Sequence, residues 1–274
     1  GSRKPGSQNS GSQNSGSQNS GSQNPGPQNS GPQNPALRIP KVEFKDMEFV
    51  YAGAKEPALK DISFCAMAGQ TIGVIGGTGS GKSTLVNLIP RFYDAASGQV
   101  LVDGTDVKEY SLDELRDKTG VVPQKSVLFK GTLRDNMRWG KQDAWDEEIY
   151  RALDTAQARE FVDSKGEGLD LYIDQGGHNL SGGQRQRLTI ARALVRRPEI
   201  LIMDDSASAL DFATDARLRK AIRENTGDMT VFIVSQRATT IKSADTILVL
   251  DEGRLAGMGT HKELLKDCQV YREI

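Results

Sequence analysis

Apolar and polar residues alternate through Val42-Glu43-Phe44-Lys45 and again through Asp61-Ile62-Ser63-Phe64. That period of two is the pattern of half-buried strands. A short apolar run at 71–75 ends in a glycine-rich turn, and further strands read at 98–102, 120–122, 200–203, 231–234 and 246–250. Helical signals separate many of them. Ser111-Leu112-Asp113-Glu114 has the form of a capping box, and 147–158 and 184–196 have helical periodicity, the second stopped by Pro198. Apolar strands alternating with helices predict an α/β fold whose mostly parallel sheet is covered on both faces. The alternating strands near the start and the end suggest an added antiparallel layer.

The first forty residues stand apart. Residues 6–35 are consecutive pentapeptides of the form G-[SP]-Q-N-[SP], and residues 1–40 contain no Asp or Glu. Such a segment buries too little to offset its ordering entropy and reads as a linker, so the folded domain is expected over 41–274. The linker implies a further portion on its N-terminal side. Gly1-Ser2-Arg3 has no apolar stretch of a signal peptide behind it and looks like a remnant of tag cleavage. The formal net charge of −1 is set partly by Arg3, Lys4 and Arg38, so the remainder is more acidic, which argues against a nucleic-acid partner. No apolar run approaches the ~20 residues of a membrane helix. Cys65 and Cys268 have neither disulfide-framework nor metal spacing, in keeping with a reduced, cytosolic setting.

Gly76-Gly77-Thr78-Gly79-Ser80-Gly81-Lys82-Ser83-Thr84 fits G-x-x-x-x-G-K-[ST] between a strand and an apolar helix carrying Leu85, Val86, Leu88 and Ile89. In that setting the loop cradles phosphates: glycines allow N–H groups to turn inward, and the helix N-terminus adds positive potential. Gly77, Gly79, Ser80, Gly81, Lys82, Ser83 and Thr84 are therefore candidate ATP ligands, with Lys82 reaching the β- and γ-phosphates and Ser83 ligating Mg²⁺. Ile200-Leu201-Ile202-Met203-Asp204 is an apolar strand ending in an acid, so Asp204 is a second Mg²⁺ candidate.

With Leu180-Ser181-Gly182-Gly183-Gln184-Arg185-Gln186-Arg187, these motifs closely resemble the nucleotide-binding domain of ABC transporters over residues ~41–274. The resemblance implies a P-loop NTPase core, an N-terminal antiparallel β subdomain and an α-helical signature subdomain. It implies two such domains sandwiching two ATP molecules head to tail, Ser181, Gly182, Gly183 and Gln184 of one meeting the γ-phosphate held by the other. Tyr51 looks like the aromatic that stacks on adenine, and Gln124 like the residue that senses Mg²⁺ and contacts the membrane domain. Ser208-Ala209-Leu210-Asp211 resembles the loop that crosses the dimer interface, and 129–136 is similar to a segment of exporters. Gln175 stands where exporters often have Glu.

Two departures sharpen the expectation. The family usually has Glu after Asp204, as the base that polarises water, and this chain has Asp205; where the family has a switch His, this chain has Gln236. Asp205 is one methylene short, and Gln236 cannot carry an imidazolium charge. The resemblance is then to the degenerate half of a heterodimeric bacterial exporter at the cytoplasmic face of the membrane, whose signature completes a non-identical partner's competent site. A soluble ABC ATPase and a binding-only regulatory module are the alternatives. Ser181 follows Lys82 by 99 residues, too few for the long coiled coil of chromosome-maintenance ATPases, and only one cassette is present.

Overall fold

The computed structural model of the 274-residue chain describes residues 39–205 and 209–274, so the repeat and Ser208 lie outside the described residues. From the amino end come β1 (Val42–Phe49), β2 (Leu59–Ala66) and β3 (Thr71–Gly76), then α1 (Lys82–Asn87), β4 (Ser97–Val102), β5 (Thr105–Asp106), α2 (Leu112–Lys118) and β6 (Thr119–Val122). The middle of the chain holds β7 (Gly131–Thr132), α3 (Leu133–Arg138), α4 (Asp146–Thr155), α5 (Arg159–Ser164), β8 (Tyr172–Ile173) and α6 (Gly182–Val195). The last third supplies β9 (Ile200–Asp204), α7 (Phe212–Asn225), β10 (Thr230–Val234), α8 (Ala238–Ile241), β11 (Thr246–Asp251), β12 (Arg254–Gly259), α9 (His261–Asp267) and α10 (Gln269–Glu273).

Two sheets dominate. An antiparallel sheet has the order β2-β1-β4-β5, and a six-stranded sheet runs β12-β11-β3-β10-β9-β6, parallel from β11 to β6 and closed by antiparallel β12. Period-two alternation along β10 explains the layering. Phe232 and Val234 pack with Phe44, Ile62, Leu85 and Leu248, while Val231 and Ile233 pack with Leu188, Met203, Leu218 and Val249. The antiparallel sheet and α1 thus cover one face, and helices cover the other. The carboxyl ends of β3, β10, β9 and β6 lie side by side, where ligands bind in open α/β sheets.

The antiparallel layer at the start holds as read. The end adds an antiparallel strand but no separate layer: 246–250 lies within β11, inside the parallel sheet, and pairs antiparallel with β12 at its edge. The four central residues of β11 are fully buried, as a strand covered on both faces requires. The reading also carried the helix at 147–158 too far. Backbone reversal at Gln157, with φ 56°, ends α4 at Thr155. The Ser111 capping box forms, with Ser111 Oγ accepting from the Glu114 N–H and Glu114 returning the bond.

Candidate functional site

β3 delivers the chain to Gly76, where a Cβ would lie 2.1 Å from the Leu250 carbonyl oxygen, so only glycine passes. The loop closes through Gly81, the α1 N-cap, at φ 98°. Lys82 is almost fully buried at the head of α1, and its ammonium donates to the carbonyls of Gly76 (2.9 Å) and Gly77 (2.7 Å). Burial lowers its pKa, against the opposing charges of Asp205 and Asp204. No atom lies within 4 Å of the space over Gly77 or Gly79. Among the described residues the N–H groups of Thr78, Gly79 and Gly81 take no hydrogen-bond partner, as an anion cradle needs.

Asp204 ends β9 beside this loop. The Ser83 hydroxyl donates to its Oδ1 at 2.9 Å. Burial pushes the Asp204 carboxyl up and the Asp205 charge adds to this, while the Ser83 bond and Lys82 pull it down. The Gln124 carboxamide, beyond the end of β6, donates to Asp205 Oδ2 at 3.2 Å. Asp205 is held in the left-handed region, φ 44°, with its N–H on the Val234 carbonyl. Gln236 follows β10, exposed on the same wall. Tyr51 lies just past β1, packed edge-on against Phe49 and Tyr93, with its hydroxyl 2.8 Å from Thr84 Oγ1.

Together these residues enclose a cleft of about 420 Å³, lined by Tyr51, Lys82, Ser83, Gln124, Asp204 and Gln236 among others. Ala58, Thr78, Val234 and Ser235 line it too and were missed from sequence. Thr78 sits inside the motif, but nothing local marks Ala58, which comes from the turn into β2. Ser83, Asp204 and Gln124 line this one cleft and carry oxygens of the kind Mg²⁺ prefers, so they are the residues that could hold the ion.

The signature lies outside this cleft. Ser181 caps α6: its hydroxyl accepts from the Gln184 N–H at 3.2 Å, and Gln184 Oε1 accepts from the Ser181 N–H at 2.9 Å. Ser181 and Gly182 are exposed, Gly183 and Gln184 half-buried. Asp211 caps α7 in the same way, accepting from the hydroxyl (2.7 Å) and N–H (2.9 Å) of Thr214, which hold its carboxyl below the usual range. A pocket of about 520 Å³ that includes Gln124, Gly182 and Ala209 separates the signature from the loop following β6.

Residues 59–208 match the family profile described as ABC transporter. The chain belongs to the ABC transporter family. Residues 1–36 match a profile of pentapeptide repeats, in line with the five-residue period. An uncharacterized ABC transporter ATP-binding protein of Mycobacterium tuberculosis is 49% identical over 228 residues, 82% of this chain and 39% of that protein. An ATP-dependent lipid A-core flippase of Haemophilus influenzae is 43% identical over 85% of this chain and 40% of the flippase. Among solved structures, a bacterial Atm1-family ABC exporter with ATP bound superposes with a TM-score of 0.81 at 38% identity, over 85% of this chain and 41% of that one. The chain therefore spans about two fifths of the length of its ABC relatives. Among the described residues no helix is long and apolar enough to cross a membrane.

Proposed function

We propose that this chain is the ATP-binding domain of an ABC exporter and that its own ATP site is degenerate. The domain would lie at the cytoplasmic face of the cell membrane, joined to a transmembrane domain. The flippase and exporter relatives support the class, and their greater length leaves room for membrane segments. In this reading Tyr51 stacks on adenine, and Gly77, Gly79, Ser80, Gly81, Lys82 and Thr84 hold the phosphates. Ser83, Asp204 and Gln124 would hold Mg²⁺, which when bound neutralises phosphate charge. Ser181, Gly182, Gly183, Gln184 and Asp211 face outward to complete the site of a second, non-identical nucleotide-binding domain.

The observation that carries the degenerate assignment is that Asp205 and Gln236 share one cleft with Lys82. Asp205 has the right charge but a side chain one methylene short, and a misplacement of about 1 Å can lower a rate on the order of a hundredfold. Gln236 can hydrogen-bond a phosphate oxygen but cannot shuttle a proton, a function worth about 10²–10⁴ in rate. ATP is then bound and hydrolysed slowly. Steady-state ATPase of the purified chain and of Asp205→Glu/Gln236→His tests this. Very low wild-type turnover with a marked rise in the double variant is expected; a fast wild-type domain overturns it.

A further inference from the structure

On the opposite edge of the parallel sheet, at the amino ends of β9 and β10, lies a second cavity of about 310 Å³. Its size is at the lower bound of small-molecule sites, and it shares no lining residue with the nucleotide cleft. Its walls are buried and apolar: Ala152 of α4, Leu194 and Val195 at the end of α6, and Pro198 and Met229 ahead of the two strands. Polar groups are confined to Glu148, Arg151 and Thr155 on α4, Arg197, and Asn225 and Thr226 at the end of α7.

The charges there are unbalanced. Glu148 accepts from Lys141 at 2.8 and 3.0 Å and from the Trp145 N–H, and the Arg197 charge also reaches its carboxylate, which leaves one acid against Lys141, Arg151 and Arg197. Neither Arg151 nor Arg197 has a side-chain hydrogen bond or ion pair among the described residues. Arg151 stands one turn from Thr155, on the helix face turned to the cavity. Arg197 follows the C-cap of α6 in the left-handed region, φ 55°, its N–H on the Leu194 carbonyl, a helix stop that sets its side chain at the cavity mouth. The carbonyl ends of α6 and α7 bring about half a negative charge each at most, less together than two guanidinium groups. The result is a locally cationic mouth over an apolar floor, on a domain that is acidic as a whole.

We propose that this cavity binds a small organic anion: a carboxylate or phosphate ester whose head lies between Arg151 and Arg197 and whose short apolar body occupies the pocket. Guanidinium forks suit carboxylate and phosphate oxygens. The test is calorimetric titration of the full chain, free of nucleotide, with octanoate, inorganic phosphate and octylammonium. The wild type is compared with Arg151→Gln/Arg197→Gln. Both arginines are exposed and neither makes a side-chain hydrogen bond among the described residues, so the variant is expected to fold, with ATP affinity unchanged as the control. The proposal expects saturable octanoate binding, weakened at least tenfold in the double variant, and little or no binding of the other two probes. Equal octanoate affinity in the variant overturns it. So does equal binding of octylammonium, which removes the charge argument, or of inorganic phosphate, which removes the apolar one.

Discussion

Asp204→Asn separates what the carboxylate does for the fold from what it does for the ligand. Asparagine keeps the shape and an oxygen to accept the Ser83 hydroxyl, now 2.9 Å away, and removes only the charge. That charge is held against burial, which raises the Asp204 pKa. The folded state therefore keeps the proton more tightly than the unfolded chain. Where the folded state binds more protons, stability falls as pH rises, here through the window above the ordinary value of 3.8. The variant should lack that component, so its nucleotide-free Tm at pH 7 should equal or exceed that of the wild type. Ligand stabilisation should move the other way. At a nucleotide concentration about 100 times Kd, the wild type gains about 2.7 kcal/mol, or roughly 5–10 °C at about 2–4 °C per kcal/mol for a domain of this size. Loss of even an outer-shell partner of a metal site weakens affinity by about 10–100-fold, and loss of the Asp204 carboxylate should cost no less. At the upper figure the gain shrinks to about 0.4 kcal/mol, a shift of about 1–2 °C. Differential scanning fluorimetry with and without Mg-ATP reads both quantities. A nucleotide-free Tm several degrees below wild type would sink the burial argument, and an undiminished ligand shift would falsify the metal role.

Two further outcomes follow from the same geometry. Glu199 and Asp103 are each bonded by Lys41 and Lys118, and these bonds hold both carboxyls below their usual values, Asp103 against its burial. Their stabilisation is present above the unfolded pKa and is lost as pH falls through the folded one. Glu199→Gln should thus cost about 1 kcal/mol or less in this partly exposed cluster and show a shallower fall in urea midpoint between pH 6 and pH 3. In the phosphate loop, a Cβ at Gly81 would meet Leu59 Cδ2 at 2.6 Å with φ at +98°, whereas one at Gly77 meets nothing within 4 Å. Gly81→Ala should lose about 1–3 kcal/mol by chemical denaturation, and Gly77→Ala should fold as wild type.

Much of this fold was legible because its parallel strands are short apolar runs bounded by turn residues. β12 was not: Arg254-Leu255-Ala256-Gly257-Met258-Gly259 alternates, but two glycines and an edge position dilute the signal. α7 escaped for a related reason. Its first residue, Phe212, is an exposed aromatic, and its inward residues include the ion-paired Asp215, which a search for apolar periodicity skips. The phosphate loop and Asp204 could be read from local motifs. Spacing alone could not show that Gln124, Asp204, Asp205 and Gln236 meet on one wall, since their proximity comes from strand order. Nor could it place Ala58 there, because that contact depends on where the antiparallel sheet sits over the loop.

The strand order also bears on synthesis. In space β10 lies between β3 and β9, pairing with both, yet it is translated after both. A nascent chain that has emerged only through β9 holds the phosphate loop and Asp204 on strands whose shared neighbour does not yet exist. The central gap closes only when residues 230–234 leave the ribosome, and β11 must then pair with the far side of β3. Such late, long-range pairings are slow to form and leave strand edges exposed meanwhile. The nucleotide cleft, whose first residues are made early, is therefore among the last parts of the domain to become a site.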